Sequence, residues 1–314
     1  VEYNGTFKPF TDENSYPGRL HDGDWTDTAK LNYENKNTWQ KMVDILLFWA
    51  ALGVDGVRCY MAEMVTVDFW EFATKKIRDQ YPDFIFIGEV YNPAEYRNYA
   101  GKGGFDYLYD KVGMYDTIRQ VTTGMTPAYR ITEQWQKMDD IKDKMLYFLE
   151  NHDEQRVASE FFAKDGRNGF PALVTNVFMT KAPFMIYFGQ EYGEKAMDKE
   201  GYGGVDGRTT IFDYWTPTSV HHKTMGKLTK EEKEVFDVYK KVLTLANKEK
   251  ALREGDFFDL MYVNPASDNF DNGRQYAFLR KSGDETVLVC TNFSDRDANV
   301  KVRIPAHAFD FMSL

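Results

Sequence analysis

Cysteine is nearly missing from this sequence: Cys59 and Cys290 are the two thiols in 314 residues. No Cys-x-x-Cys pair and no His-x-x-x-His spacing occurs, which removes the common zinc frameworks. The two cysteines read as separate buried thiols, so the redox compartment stays open. Basic residues are also short, with 39 Lys and Arg against 49 Asp and Glu and a formal net charge of −10. Nucleic-acid binding rests on Lys and Arg neutralising phosphates, so the sequence argues against that partner class, while a neutral polar ligand is compatible. The longest apolar run, Ile45 to Val54, is too short to span a bilayer. The glycine-rich stretch Gly201–Arg208 is not followed by Gly-Lys-Ser/Thr and is no phosphate loop. No signal-peptide pattern is visible at Val1.

What is present is a series of apolar segments with two different periods. Tyr, Phe and Trp make up 16% of the chain, an abundance of flat faces that serves core packing and also suits stacking on sugar rings. Trp39, Met42, Val43, Leu46 and Leu47 recur at helical spacing and predict a helix over 38–52, capped by Thr38 and closed by Gly53. A strand at 54–60, a helix over Val67–Gln80 and a strand at 84–90 then form a strand–helix–strand crossover, which implies parallel neighbours. Further strands are expected at 105–109, 145–150 and 184–189, with helices at 111–121, 166–181 and 229–253. From Glu254 the period becomes two. Gln275–Lys281 and Glu285–Asn292 flank Ser-Gly-Asp, a hairpin signal, and Val300, Val302 and Ile304 alternate with Lys301 and Arg303 as in a half-exposed strand. The pattern divides the chain into a loop-rich opening over 1–37, a βα region over 38–253 and a β-rich region over 254–314.

Four strand ends carry polar clusters. Gly53-Val-Asp-Gly-Val-Arg-Cys-Tyr-Met-Ala-Glu-Met64 reads as a short buried strand ending at Arg58–Tyr60, with Glu63 just beyond. Taken alone, its arginine serves equally well as the structural partner of a buried carboxylate. Phe84-Ile-Phe-Ile-Gly-Glu89 ends in a carboxylate, Met145-Leu-Tyr-Phe-Leu-Glu-Asn-His-Asp153 in Asn-His-Asp, and Phe184-Met-Ile-Tyr-Phe-Gly-Gln-Glu191 in Gly-Gln-Glu. Strands that deliver Arg, Glu, His and Asp to one rim are how a (β/α)8 enzyme builds a site.

In this order and at these separations, the four stretches resemble the signature regions of the α-amylase family of glycoside hydrolases, family 13. There Gly-x-Arg-x-Asp ends strand 4, a Glu ends strand 5, Asn-His-Asp ends strand 7 and Tyr-x-Gly-x-Glu marks strand 8. The resemblance implies an α/β fold, a (β/α)8 TIM barrel with strands 4–8 in this chain, followed by a carboxyl-terminal antiparallel β-sandwich. It implies a retaining glycosidase acting on the α-1,4 bonds of starch or maltodextrin, with Glu89 as acid/base, its proton held by burial, and Asp153 stabilising the cationic transition state. By the same resemblance His152 and Asn151 contact the sugar and Arg58 orients the nucleophile. No organic cofactor is implied. Asp22, Asp24 and Asp27 read first as an Asp-rich turn, although such oxygen donors also suit calcium, and the long loop after strand 8 brings Tyr202 or Trp215 within reach of substrate.

One position departs from the pattern: Tyr60 stands where the family carries its aspartate nucleophile. A phenol, with an ordinary pKa of about 10, is protonated at neutral pH where an aspartate is ionised, and its ring is longer by several atoms. Glu63 and Met64 stand where many members carry Lys-His, closer to the maltodextrin- and pullulan-cleaving members. Transglycosylation would share the same intermediate. Three readings follow: an α-glucan hydrolase with its nucleophile replaced, a pseudoenzyme that binds α-glucan without cutting it, and an amylase-like structural subunit. Five parallel strands cannot close a barrel, so a complementing N-terminal segment or a second copy is expected at the open edges.

Overall fold

In the computed structural model, residues 31–198, 201, 204–209, 211 and 217–313 are described. The chain forms two compact units, residues 1–108 and 109–314. Asp22, Asp24 and Asp27, and also Tyr202 and Trp215, lie outside the described residues.

The first unit begins with α1 (Lys36–Ala51), β1 (Gly56–Cys59), α2 (Val67–Arg78) and β2 (Ile85–Gly88). The cap of α1 is Asn35, whose side chain accepts from Asn37 N, and not Thr38. An Asn oxygen two residues upstream meets the first unpaired N–H before a threonine inside the helix can. β1 and β2 pair in parallel from Gly56 against Ile85 to Cys59 against Gly88, as a helical crossover requires. A Cβ on Gly56 would lie 2.3 Å from the Ile85 carbonyl oxygen, so this pairing distance needs glycine. α3 (Tyr96–Ala100) leads to β3 (Tyr107–Tyr109), whose start pairs in parallel with β2. The core is a chain of aromatic edges: Trp39 on Phe69, Phe69 on Trp70, Trp70 on Phe105, and Phe105 on Phe86. Much of the aromatic excess is therefore core. On α1, Ile45, Phe48 and Trp49 with Leu52 make an exposed apolar stripe at helical spacing.

The second unit takes up the end of β3, where Asp110 N donates to Leu146 O at 3.2 Å. The helix expected over 111–121 is instead a wide turn over Lys111–Tyr115 followed by α4 (Asp116–Thr122). The buried Asp110 carboxylate takes Met114 N at 2.9 Å, and Val112 and Gly113 leave helical geometry to permit it. α5 (Arg130–Lys137), β4 (Met145–Phe148), α6 (Phe170–Met179) and β5 (Phe184–Met185) follow, with β4 and β5 parallel and β4 buried throughout. α7 (Thr218–Thr224) precedes α8 (Lys230–Lys248), which opens on a full capping box between Thr229 and Glu232. α9 (Lys250–Glu254) leads into an antiparallel sheet of β6 (Asp256–Asp259), β7 (Gln275–Ser282) and β8 (Glu285–Asn292). The predicted hairpin is present, with Gly283 at φ 57° in its turn. The predicted strand at 300–304 forms no ladder: Lys301 N reaches Asn269 O and Arg303 N reaches the Asn264 side chain, and these isolated bonds replace a partner strand. α10 (Ala306–Phe311) follows. Arg280 of β7 is 1% exposed and donates to the carbonyls of Phe178, Leu252 and Gly255, tying the sheet to the ends of α6 and α9.

Candidate active site

At the carboxyl end of β1 and β2 the first unit brings Arg58, Tyr60 and Glu89 together. Glu89 is 1% exposed, and donors reach both of its oxygens. Arg58 Nη2 lies 2.9 Å from Oε1, the Tyr91 hydroxyl donates to Oε1 at 2.8 Å, and Met61 N donates to Oε2 at 2.9 Å. The backbone repeats the closure: Glu89 N donates to Cys59 O and Ala62 N to Glu89 O. To aim its N–H this way Met61 sits in the left-handed region, at φ 43° and ψ 49°, a conformation that costs a non-glycine residue about 1–2 kcal/mol. Such strain persists where surrounding contacts overdetermine it, and here the hydrogen bonds around Glu89 do so.

Tyr60 is 58% exposed, and the Arg58 guanidinium lies 5.3 Å from the centre of its ring. Glu63 turns back to cap the following loop, its Oε2 accepting from Asn92 N at 3.0 Å, while Tyr99 OH approaches the carbonyls of Glu63 and Val65. Burial pushes the Cys59 thiol up to about 12, the smaller effect of Arg58 acting the other way.

The second unit carries the Asn-His-Asp cluster on the segment after β4. Asn151 is 1% exposed, and its Oδ1 accepts from Asp153 N at 2.8 Å and Glu154 N at 2.9 Å. This is the side-chain turn that asparagine favours, and it sets the next two residues in place. His152 Nε2 lies 3.2 Å from Asp153 Oδ2, with both side chains partly exposed. Below them, Glu150 and Arg156 form a buried ion pair at 2.8 Å. Burial raises the Glu150 carboxyl, and Arg156 opposes that rise. Arg156 also lies over the Tyr187 ring at 4.2 Å and donates through Nε to Thr209 Oγ1. In the Gly-Gln-Glu stretch, Gln190 bridges Tyr187 N and the Tyr239 hydroxyl.

Residues 16–211 match the model of the α-amylase catalytic domain. The chain belongs to the α-amylase family. Among curated α-amylase family relatives, it is 24% identical over 285 residues to Alpha-amylase 2 of Dictyoglomus thermophilum, covering 85% of this chain and 44% of that protein. It is 21% identical to Neopullulanase 2 of Thermoactinomyces vulgaris, covering 88% of this chain and 43% of that one. The chain thus spans less than half the length of these relatives. A noncanonic maltogenic alpha-amylase, AmyB, from Thermotoga neapolitana superposes with a TM-score of 0.63 at 24% identity, over 91% of this chain and 59% of that one. A cyclic alpha-maltosyl-(1→6)-maltose hydrolase from Arthrobacter globiformis, in complex with maltose, gives 0.67 at 18% identity, over 90% and 58%. The fold is that of the family, with parallel strands joined by helices and an antiparallel sheet after them.

Sequence reasoning singles out Arg58, Tyr60, Glu63, Glu89, Asn151, His152 and Asp153 but passes over Tyr91, Glu150, Glu154 and Arg156, which the structure places against them. A charged residue next to a motif looks like any solvated residue until its burial is known. The sequence signal, a glutamate closing an apolar strand and an arginine six positions on, is too weak to read alone. Among the described residues no cluster of three His, Cys, Asp or Glu is placed to hold a metal ion, and no helix is long and apolar enough to cross a membrane.

Proposed function

We propose that this chain carries the α-glucan site of a retaining glycoside hydrolase acting on α-1,4 bonds of maltodextrins, with Tyr60 in the nucleophile position, and that as it stands it binds glucan without cutting it. The observation that carries the reading is the Arg58–Glu89 pair at 2.9 Å, with Tyr60 exposed at the same strand end. In a retaining reaction one carboxylate attacks the anomeric carbon and a second carboxyl protonates the leaving oxygen. Glu89 takes the acid/base role, and since both its oxygens are engaged, Arg58 or Tyr91 must give way when a glycosidic oxygen arrives. Asp153 stabilises the positive charge that develops on the sugar, and His152 beside it contacts the hydroxyls. Tyr60 offers no carboxylate. Its ring, flanked by the Arg58 cation, suits stacking on a sugar face, which favours retained binding over a purely structural role. The exposed stripe of α1 and the outer edge of β1 fit a further strand–helix segment.

The test is reducing-sugar release from malto-oligosaccharides by this chain and by Tyr60→Asp, with binding of maltoheptaose measured alongside by calorimetry. The reading requires that both forms bind and that only Tyr60→Asp cuts. Hydrolysis by the unaltered chain would show that Tyr60 does not block catalysis. No binding and no hydrolysis by either form would remove the glucan site altogether.

A further inference from the structure

The segment after β4 has no helix or strand between Leu149 and Asp165, yet it carries His152 and Asp153. Such a segment holds these two side chains in register only if something other than secondary structure fixes it. The residues just after Asp153 do this. Glu154 Oε2 accepts from the Tyr115 hydroxyl at 3.0 Å, and its Oε1 lies 3.2 Å from Lys111 Nζ, which is itself 2.8 Å from Asp116. Gln155 Oε1 accepts from Arg119 Nη1 at 2.6 Å, while Arg119 Nη2 reaches Phe161 O at 3.1 Å. Arg156 N donates to Gly207 O at 2.7 Å, and its guanidinium is held by Glu150, Thr209 and the Tyr187 ring. Val157 N closes the turn on Glu150 Oε1 at 2.7 Å.

We infer that Glu154 and Arg119 are positioning residues: they lock the His152–Asp153 crest against α4 and the wide turn before it, so that the transition-state carboxylate is in place before any sugar arrives. The Glu150–Arg156 pair anchors the opposite side. The chemistry requires this, because electrostatic stabilisation of a transient cation works only if the carboxylate need not reorganise at that moment. Glu154 touches no reacting atom in this scheme. It acts through the backbone shared with Asp153. The inference rests on the proposed role of Asp153, but its test does not need turnover.

The experiment records the His152 ring resonances by NMR in the whole chain, assigned by their loss in His152→Gln, and compares Glu154→Gln and Arg119→Met with the parent under identical conditions. Glu154→Gln keeps the shape of the side chain and removes its charge, and Arg119 is partly exposed, so both variants should keep the circular-dichroism spectrum of the parent. The expected result is that His152 signals shift or broaden in both variants, while the other histidine signals stay. Unchanged His152 signals in Glu154→Gln overturn the inference, even if Arg119→Met fails to fold. In the Tyr60→Asp background the same substitutions are expected to lower kcat by about 10–100-fold with little change in KM. An equal loss in every parameter, together with a lost fold, would mark a structural role only and would also overturn it. If Tyr60→Asp does not cut, the functional reading fails while the NMR comparison still decides the positioning role.

Discussion

Removing Arg156 is the most demanding test of the packing beneath the site. Arg156 and Glu150 are 0% and 1% exposed, paired at 2.8 Å. Arg156→Met keeps the length and loses the charge, leaving Glu150 as a buried carboxylate that still accepts from the Val157 N–H. Breaking one side of a buried pair costs about 3–5 kcal/mol, a large part of the ~5–15 kcal/mol that stabilises an ordinary domain. Burial raises the Glu150 carboxyl already, and Arg156 is the first cause opposing that rise, so its removal drives the carboxyl further up. The folded state of the variant then binds a proton that the unfolded state has released, and its stability increases as pH falls through the raised value. The variant should therefore be weakest at mildly alkaline pH and recover part of the loss on acidification. The double variant Glu150→Gln/Arg156→Met, which buries no charge, should regain most of the loss at every pH. Urea unfolding followed by tryptophan fluorescence, at two pH values and for all three proteins, measures this. The argument is wrong if the single variant loses less than about 1 kcal/mol, or if the double variant is no more stable than the single one.

Other expectations follow from the same structure. Asp110 is 1% exposed, and burial pushes its carboxyl up to about 6, with Asp116 adding to the rise and Met114 N opposing it. Because its folded value lies above the unfolded one, its ionisation destabilises the fold as pH rises from about 4 through 6, by about 3 kcal/mol in all. Asp110→Asn should match the parent near pH 4 and exceed it by up to that amount near pH 8; equal pH profiles in denaturant melts would refute this. The two thiols should also separate. Cys290 is exposed on β8, against the expectation that both were buried, whereas Cys59 is buried and its thiol is raised to about 12. A thiol reagent at mildly alkaline pH should label Cys290 promptly and Cys59 only on unfolding; rapid labelling of both would show that the end of β1 is open.

The sequence by itself determined what depends on near neighbours. The apolar runs before Arg58, Glu89 and Asn151 are strands because buried parallel strands need continuous apolar residues, and the crossover over 54–90 is parallel because a helix lies between them. The 282–284 turn is legible because glycine adopts positive φ there. The ordered motifs therefore mark the family and the residues at the strand ends. Tertiary structure decided the rest. The helix expected over 111–121 is broken because the buried Asp110 draws Met114 N to itself, and no local pattern encodes that burial. The alternation at 300–304 is true to a strand, but a ladder needs a partner, and Asn264 and Asn269 take its amides instead. Glu89 meets Arg58 and the strained Met61 because two strand ends converge there, and the Glu150–Arg156 pair, local in sequence, is buried beneath Thr209 and the Tyr187 ring. Whether a charged side chain is solvated or buried is set by residues distant in sequence, so the chemistry of the site is fixed only when the chain folds.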